Sequence, residues 1–562
     1  MSISIYDLSI IIGYFLLIFG VAYWAMRRDR KSRESGQEAT DYFLASRSSG
    51  WFVIGASLFA SNIGSEHIVG LVGSGARGDM PAAQFEILAA LILMLLGWLF
   101  VPFYLRSGVF TMPEFLERRY NGAARTYLSV VSILAYILTK ISLTIFAGAL
   151  VFEVIGVEFW TGALIVVIVT GVYTIFGGLK AVIYTDMVQL FILLIGTALV
   201  TILGFDAIGG WEGLQISLNN AAIKDPSIDP GRFFNLWRPG DDTDYPWTGM
   251  LFGAPILGVW YWCTDQFIVQ RVLSAKDVSQ ARKGTIFAGF LKQLPILLFV
   301  FPGIIAFGLA SQGLLEGFAD DPDQALPRMI TEILPVGLKG LVLAGLLAAL
   351  MSSLSSVFNS CSTLITIDFY KKYHPDANQK KLVWAGQIAT AVLVIVSLGW
   401  IPLMKTLTEG GGIFMYLQSV QAYISPPIAA AFLLGLFLPR INGRGAIWSL
   451  WIGFGLGLTR LVLEFLTKEG IMQVADDSLV AEIVGINFLH FALLLFGICA
   501  ITMWSVSLTA PAPSMDKIGE LVYKRSAKRA SPGKRQDAIL SFVLVVIVLL
   551  IWAIFSPWGL GA

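Results

Sequence analysis

Apolar runs of about 20 residues recur along the whole chain, and this repetition constrains the fold more than any other feature. A helix needs about 20 apolar residues to cross roughly 30 Å of hydrocarbon, whereas barrel strands read as shorter alternating segments. The pattern predicts an all-α integral membrane protein with about 14 transmembrane helices, or thirteen if one long run is a single span. The predicted spans are 5–26, 51–72, 82–105, 126–153, 158–178, 181–206, 246–267, 284–310, 337–370, 382–400, 411–437, 445–466, 483–505 and 538–557.

Charged residues are too sparse for a water-soluble protein of this length. Only 14% of the 562 residues are charged, against about 25% in soluble proteins, and 39 basic residues nearly cancel 38 acidic ones. This composition excludes a nucleic-acid binder that works through a basic field, a disordered chain and a secreted disulfide scaffold. The sequence has no phosphate-binding loop, zinc-protease motif or nucleophile elbow, so we expect neither an enzyme nor a nucleic-acid partner.

The basic residues predict the orientation of the chain in the membrane. Most of the 39 Lys and Arg fall in alternate loops, and cytoplasmic loops carry such an excess in membrane proteins. These basic loops include 27–33, 118–125, 271–283, 371–381 and 517–535. We therefore expect both termini outside. Short tails without a targeting signal favour a multi-pass plasma-membrane protein, in particular one of a bacterial inner membrane.

Two predicted spans are dense in Gly, Pro and polar residues, which makes each a poor continuous helix. Residues 55–70 hold three glycines and three serines besides Asn62 and Glu66, and the span from 246 has Gly253, Pro255 and Gly258. Two interrupted helices in corresponding positions indicate an inverted-repeat transporter with a site at mid-membrane. The alternative is that Gly and Pro are simply commoner in membrane helices.

The transporter interpretation divides the chain into five parts. Each interrupted helix begins a five-helix repeat, with one helix before the first repeat and three after the second. The parts are 1–50 (first span and basic loop), 51–206 (repeat 1), 207–245 (outer loop), 246–437 (repeat 2) and 438–562 (three further spans with a basic connector).

Other polar groups inside the spans mark candidate sites, because charged and polar side chains are costly in hydrocarbon. Residues 351–360 contain five serines, a pattern typical of either close helix packing or a monovalent-cation site. Glu86 and Lys292 lie in different spans and would compensate each other in one cavity, either around a polar solute or as a structural ion pair. Gln418 and Gln421 lie together in the eleventh span.

Long strings at these positions resemble the sodium/glucose cotransporter branch of the solute:sodium symporter family. The resemblance runs from about residue 40 to 510. It rests on ASLFASNIGSEH (56–67), LGWLFVP (96–102), TMPEFL (111–116), AVIYTD (181–186), WYWCTDQFIVQR (260–271), LMSSLSSVFNS (350–360) and PPIAAAFLLGLF (426–437). The resemblance implies a LeuT-like core of two inverted five-helix repeats, with one extra helix before and three after.

The resemblance also implies a sugar site and a sodium site. The implied sugar residues are Asn62, His67, Glu86, Lys292 and Gln418, with Tyr261 as an aromatic inner gate and Trp262 beside it. The implied sodium ligands are the backbone carbonyls of Ala60, Ile63 and Ala349 and the hydroxyls of Ser352 and Ser353. Such a cation would bridge the first interrupted helix and a helix of the other repeat.

A second sodium ion is a further expectation from the resemblance. Relatives that carry two ions are similar in pairing an acid at the position of Asp186 with hydroxyls at Ser355 and Ser356. Ile87, Ala89 and Gly258 stand where sugar-transporting relatives carry Trp, a polar side chain or another hydrogen-bonding residue. We therefore expect a roomier and less polar flank of the sugar site.

Together these features predict a secondary active symporter that couples inward movement of one or two Na⁺ to uptake of a monosaccharide such as glucose or galactose by alternating access. The first alternative keeps the scaffold and changes the cargo to another polyol or small organic solute, for example an inositol. The second is a membrane sensor that does not translocate its ligand. The expected partners are the sugar, sodium ions and membrane lipids, and we expect a functional monomer.

Overall fold

The computed structural model describes residues 4–29, 38–154, 156–318, 321–407, 413–468, 471–473, 475, 477–523 and 534–562. Throughout these residues the chain is helical, with two isolated β-bridges as its extended pairings. The basic residues at 30–33 and 524–533, which helped to predict the orientation, lie outside the described residues.

Ten α-helices lie among the described residues up to 208. They are α1 (Ile5–Asp29), α2 (Glu38–Leu44), α3 (Trp51–Asn62), α4 (Ser65–Ala76), α5 (Gln84–Leu95), α6 (Val101–Ser107), α7 (Met112–Arg119), α8 (Gly122–Ala135), α9 (Ser142–Val154) and α10 (Phe159–Ile208). π-Helical turns at Leu96–Phe100 and Tyr136–Ile141 join α5 to α6 and α8 to α9.

Fifteen further α-helices lie among the described residues from 210 onwards. They are α11 (Gly210–Lys224), α12 (Ala254–Gly258), α13 (Gln266–Leu273), α14 (Val278–Leu291), α15 (Phe301–Ser311), α16 (Ala325–Glu332), α17 (Leu338–Leu364), α18 (Lys371–Tyr373), α19 (Gln379–Leu407), α20 (Ile413–Phe437), α21 (Gly443–Lys468), α22 (Leu479–Gly485), α23 (Phe488–Leu508), α24 (Met515–Ile518) and α25 (Lys534–Ile554).

Eleven helical stretches within the described residues are long and apolar enough to cross a membrane. One of them, α10, covers two predicted spans, and its backbone turns sharply at Gly178, where φ is +56°. Only glycine takes this conformation without strain, and a Cβ there would also lie 2.7 Å from the Tyr42 carbonyl oxygen. The predicted division between residues 178 and 181 therefore coincides with a kink, while the number of membrane crossings stays a prediction.

The span predicted at 51–72 is interrupted, as the sequence indicates. Helix α3 ends at Asn62, Ile63 and Gly64 are extended, and α4 starts at Ser65. The span predicted at 246–267 is interrupted as well, close to its predicted end. The chain stays helical through Gly253, Pro255 and Gly258 and becomes extended at Asp265. A wider π turn at Gly249–Gly253 precedes Pro255, where an ordinary turn would set the proline ring against an earlier carbonyl.

Burial separates the helices into a core and a periphery. Helix α17 is the most buried of the candidate spans, and it packs against α10, α1 and α3. Helices α1 and α25 lie at the opposite extreme, with Leu16 and Phe542 among their exposed apolar side chains. This distribution places the two interrupted segments and α17 inside the protein, which is where irregular backbone is tolerated in membranes.

Candidate functional site

The interruption between α3 and α4 frees backbone oxygens in the centre of the protein. The Gly64 N–H donates to the Asn62 carbonyl (3.1 Å) and the His67 N–H to the Gly64 carbonyl (3.1 Å). In a continuous helix these two N–H groups would engage the carbonyls of Ala60 and Ile63. Those are two of the carbonyls predicted to bind sodium, and both residues are buried.

Helix α17 brings its serines to this interruption. The Ser353 hydroxyl donates to the Ser61 carbonyl (3.0 Å), between the two freed oxygens. The neighbouring Ser352 hydroxyl donates to Asp186 Oδ1 (2.6 Å). Each hydroxyl keeps lone pairs that a cation can use while its proton is donated. Ala349 lies one turn earlier on α17 and is also buried. Of the predicted sodium ligands, Ser353 thus contacts the segment of α3 that carries Ala60, and Ser352 and Ala349 lie within one turn of Ser353 on α17.

Asp186 is the centre of a larger buried group next to that contact. Its Oδ2 accepts hydrogen bonds from Ser57 (2.6 Å) and Ser61 (3.0 Å), and the guanidinium of Arg271 lies 3.9 Å away. Arg271 Nε in turn donates to Ser57 (3.1 Å) and Ser61 (2.7 Å). Sequence reasoning missed Ser57, Ser61 and Arg271, although the two serines lie four residues apart on one face of α3.

The two other residues of the predicted second sodium site, Ser355 and Ser356, have different hydrogen-bond partners. Ser356 donates to the Ser61 hydroxyl (3.0 Å) and so joins the group around Asp186. Ser355 donates to the Ser352 carbonyl of its own helix (3.0 Å).

A cavity opens beside the interruption, and both predicted repeats line it. It encloses about 500 Å³ of space free of protein atoms, part of it open to solvent. Six of the seven predicted sugar-site residues line this cavity: Asn62, His67, Glu86, Tyr261, Trp262 and Gln418. Gln421 lines it as well.

Lys292, the seventh predicted residue, lies behind the cavity wall. Its ammonium group donates to Glu86 Oε2 and Asn62 Oδ1, and it is completely buried. The same nitrogen is 5.2 Å from the centre of the Trp262 ring. Lys292 therefore neutralises Glu86 and orients Asn62, so that carboxylate and amide present fixed polar atoms to the cavity.

Tyr261 connects the two interrupted segments. Asn62 Nδ2 donates to the Tyr261 hydroxyl (2.9 Å), and the Tyr261 ring meets Trp262 edge-on at 5.1 Å between centres. Both aromatics belong to a π-helical stretch, Val259–Thr264, which ends at the second interruption. A movement of either interrupted helix would therefore displace the aromatic side chains that line the cavity.

One wall of the cavity is apolar. It is formed by Leu88, Ala89, Ile92, Ala254, Leu257 and Gly258. Ala89 and Gly258 lie where the sequence predicts a less polar flank. Ile87, the third residue of that prediction, is buried away from the cavity lining, because it projects from another face of α5.

Comparison with known proteins decides the family. A family model described as the sodium:solute symporter family matches residues 42–453, well over half of the chain. The chain belongs to this family. Sodium/glucose cotransporter 1 of Oryctolagus cuniculus is 41% identical to this symporter over 91% of the chain and 80% of the relative. Sodium/glucose cotransporter 4 of Danio rerio is 38% identical over 93% of the chain and 81% of the relative.

Solved structures show the fold. A Na⁺-coupled sialic acid symporter superimposes on this symporter with a TM-score of 0.75 at 19% identity, covering 91% of this chain and 99% of that chain. Mhp1, a nucleobase-cation-symport-1 family transporter, gives a TM-score of 0.51 at 15% identity over 85% and 97%. These likenesses confirm the predicted LeuT-like fold.

Family membership confirms three further predictions. The protein is a multi-pass membrane transporter, it is not an enzyme, and sodium is its coupled ion. The predicted family itself is confirmed as well.

Proposed function

We propose that this symporter couples inward movement of Na⁺ to uptake of a monosaccharide such as glucose or galactose. The observation that carries the proposal is the cavity that six predicted sugar residues line, because one of them, Asn62, lies in the chain between Ala60 and Ile63, whose carbonyls the interruption frees. Relatives about 40% identical over most of the chain are named sodium/glucose cotransporters. This favours a sugar over the inositol alternative.

The polar side of the cavity suits a hexose. Sugar hydroxyls both donate and accept hydrogen bonds, so the Glu86 carboxylate, the amides of Asn62 and Gln418 and the imidazole of His67 each have a hydroxyl to bind. The rings of Tyr261 and Trp262 offer apolar area to the flat face of a pyranose. A solute without matching hydroxyls would leave these groups unpaired, and for that reason it would bind more weakly.

Sodium at the α3–α17 contact would couple the ion gradient to the sugar. In the proposal Na⁺ binds the carbonyls of Ala60, Ile63 and Ala349 with the hydroxyls of Ser352 and Ser353, and so bridges the two repeats. Bound Na⁺ orders the interruption that positions Asn62 and His67, so each ligand raises the affinity of the other. The membrane potential adds about 2.3 kcal/mol per 100 mV for each Na⁺ that moves inward.

A second Na⁺ beside Asp186 is part of the proposal. Asp186 and Ser356 both reach Ser61, which lends support to an ion there, and Ser355 would have to turn from its own helix to join them. Ser355→Ala tests this ion more cleanly than a change at Asp186, because Asp186 also holds Ser352 of the first site. We expect Ser355→Ala to lower the measured charge-to-sugar ratio, and an unchanged ratio would argue for a single ion.

The proposal extends to the oligomeric state of the symporter and to its location and orientation in the membrane. We propose that the symporter works as a monomer surrounded by lipid, in a bacterial inner membrane, with both termini outside. The basic loops 118–125 and 271–283 support this orientation, because positive charge accumulates on the cytoplasmic side.

The decisive experiment is tracer accumulation in proteoliposomes that contain the purified protein. Inward Na⁺ gradients should drive labelled glucose or galactose above equilibrium, and replacing Na⁺ by K⁺ should abolish the accumulation. Glu86→Gln should raise the sugar KM, while Asp225→Asn, the same carboxyl-to-amide change at an exposed loop residue, should leave it unchanged. Undiminished accumulation in K⁺, or accumulation of inositol but of no hexose, would overturn the proposal.

A further inference from the structure

A second buried charge pair lies beside the sugar cavity, on the first turn of α4. Glu66 is completely buried, and its Oε1 lies 3.2 Å from the Lys140 ammonium nitrogen. Its Oε2 accepts a hydrogen bond from the Thr144 hydroxyl (2.9 Å). Lys140 belongs to the π turn between α8 and α9 and also lies over the Tyr261 ring at 5.4 Å. This pair therefore joins the interruption between α3 and α4 to the helix that carries the aromatic gate.

The Glu66 carboxylate also contacts the next residue, His67. Oε1 lies 3.3 Å from His67 Nδ1, and this is the hydrogen bond that the structure gives to the imidazole. Glu66 is not among the residues that line the cavity, whereas His67 is. The imidazole therefore has one nitrogen turned to a buried carboxylate, and Nε2 has no hydrogen-bond partner among the described residues.

The chemistry of the carboxylate decides which nitrogen of the ring carries the proton. An ionised carboxylate accepts hydrogen bonds and donates none, and Lys140 supplies the charge that keeps Glu66 ionised inside the protein. The neutral imidazole must then carry its proton on Nδ1, and Nε2 is left with a free lone pair. Nε2 can accept a hydrogen bond but cannot donate one.

We propose that Glu66 is a positioning residue that fixes His67 in the Nδ1–H tautomer, so that Nε2 accepts a hydrogen bond from a substrate hydroxyl. This inference rests on the proposed sugar site and adds the polarity of one contact. At His67 the site selects a hydroxyl that donates its proton. A fluorine or an ether oxygen at that position of the sugar only accepts hydrogen bonds and is rejected.

Nitrogen-15 NMR tests the tautomer without any transport measurement. The chain has three histidines, so ¹⁵N-histidine labelling of the full-length protein in nanodiscs gives few signals, and His67→Gln identifies those of His67. The measurement belongs near pH 8, above the ordinary histidine pKa of about 6.5. We expect the proton on Nδ1 of His67 in the wild type. A proton on Nε2 in the wild type overturns the proposal, whatever the protein transports.

Three variants separate the positioning role of Glu66 from a general disturbance of the buried group around its carboxylate. Glu66→Gln replaces the carboxylate with an amide that can donate to Nδ1, so we expect loss of the pure Nδ1–H signal and growth of an Nε2–H signal. The double variant Glu66→Gln, Lys140→Met should do the same without leaving an unpaired ammonium group. Thr144→Val removes a different hydrogen bond to the same carboxylate and should keep the wild-type tautomer.

Competition by fluorinated sugars tests the selectivity. In a set of monodeoxy-fluoro analogues of the transported hexose, we expect one position at which fluorine weakens wild-type binding about tenfold, as much as removing the hydroxyl does. In Glu66→Gln this loss should shrink to about twofold or less, while the other positions keep their wild-type values. A wild type that binds every fluorinated analogue as tightly as its parent overturns the proposal. Failure of all hexoses to compete overturns the sugar assignment and leaves the NMR result standing.

Discussion

The two interrupted helices differ in what satisfies their free backbone groups. At the first, Ile63 and Gly64 are extended and no side chain caps α4. At the second, Asp265 is extended and caps α13 with its own side chain, which accepts from the Phe267 N–H at 3.2 Å. The carbonyls of these two extended residues do not differ: Gly64 accepts from the N–H groups of His67 (3.1 Å) and Ile68 (3.2 Å), and Asp265 accepts from those of Ile268 (3.2 Å) and Val269 (2.9 Å).

The carbonyls ahead of the two interruptions differ in the same way. The Tyr104 hydroxyl donates to the Cys263 carbonyl at 2.6 Å, so the protein itself satisfies an oxygen that the second interruption frees. At the first interruption Ser353 reaches the Ser61 carbonyl, while the N–H groups that would pair with Ala60 and Ile63 bond elsewhere. Side chains thus bind free backbone groups on both sides of the second interruption, whereas at the first the N–H groups that would pair with Ala60 and Ile63 bond elsewhere.

The difference between the two interruptions predicts which of them determines the sodium dependence of uptake. Because buried polar groups require partners, the freed carbonyls of Ala60 and Ile63 suit a cation, whereas Asp265 and Tyr104 already bind free backbone groups at the second interruption. We therefore expect changes at the first to alter sodium dependence and changes at the second to alter stability.

The largest expected effect is that of Gly64→Ala at the first interruption. Gly64 has φ −92° and ψ 176°, which alanine adopts readily, but an added Cβ would lie 2.1 Å from Glu66 Oε2. The carboxylate would have to leave Lys140, and separating a buried ion pair costs about 3–5 kcal/mol. We expect sodium-driven uptake to fall about a hundredfold or more in proteoliposomes. Gly50→Ala, at the same extended position before α3, meets only Gln280 at 3.8 Å and should keep wild-type uptake.

The next largest effect is expected for Ser353→Ala, and a second serine of α17, which contacts the other interrupted helix, provides the control. Ser353 donates to Ser61 before the first interruption, and Ser360 donates to Gln270 Oε1 after the second (3.2 Å). Ser353→Ala removes a proposed sodium ligand, so we expect the sodium concentration for half-maximal uptake to rise about tenfold, the equivalent of about 1.4 kcal/mol. Ser360→Ala should leave it unchanged. Equal shifts in the two variants would remove the distinction between the interruptions.

The sequence predicts the first interruption more precisely than the second. The first interruption is predicted because Gly64 stands among polar residues in an apolar span, which a continuous helix in a membrane does not tolerate. For the second, the sequence predicts an interrupted span but not the residue, because Gly253, Pro255 and Gly258 are all stronger helix breakers than Asp265. The breaker that acts is an aspartate cap, whose effect depends on the N–H of Phe267 lying within reach.

The candidate site also has a part that the sequence predicts and a part that it does not. The residues predicted to bind the sugar are identified through motifs that resemble the family's, and the structure brings six of the seven onto one cavity. The partners of buried charges are not, because they lie far apart in sequence: Lys140 is 74 residues from Glu66, and Arg271 comes from the other repeat to meet Ser57. Periodicity describes one helix at a time, whereas these pairings are set by how helices pack.

A smaller effect is expected for Asp265→Ala at the second interruption. The substitution removes the side chain that caps α13, and losing such a cap costs about 1 kcal/mol of stability. Thermal unfolding of the purified protein in detergent should show a lower midpoint than for the wild type. The sodium concentration for half-maximal uptake in the folded fraction should stay at its wild-type value. A tenfold shift in sodium dependence would instead place an ion ligand at the second interruption.

The smallest effect is expected for Tyr104→Phe, which tests why only the first interruption should hold an ion. Tyr104→Phe keeps the ring, which packs edge-on against Phe115 at 5.0 Å, and frees the Cys263 carbonyl. We expect about 1 kcal/mol of destabilisation in thermal unfolding, the typical net value of one hydrogen bond. Sodium should not recover this stability, because a cation site needs several converging oxygens, and a single freed carbonyl supplies one. If sodium, but not potassium, restored the unfolding midpoint, a free carbonyl alone would suffice, and the difference between the two interruptions would rest on Tyr104.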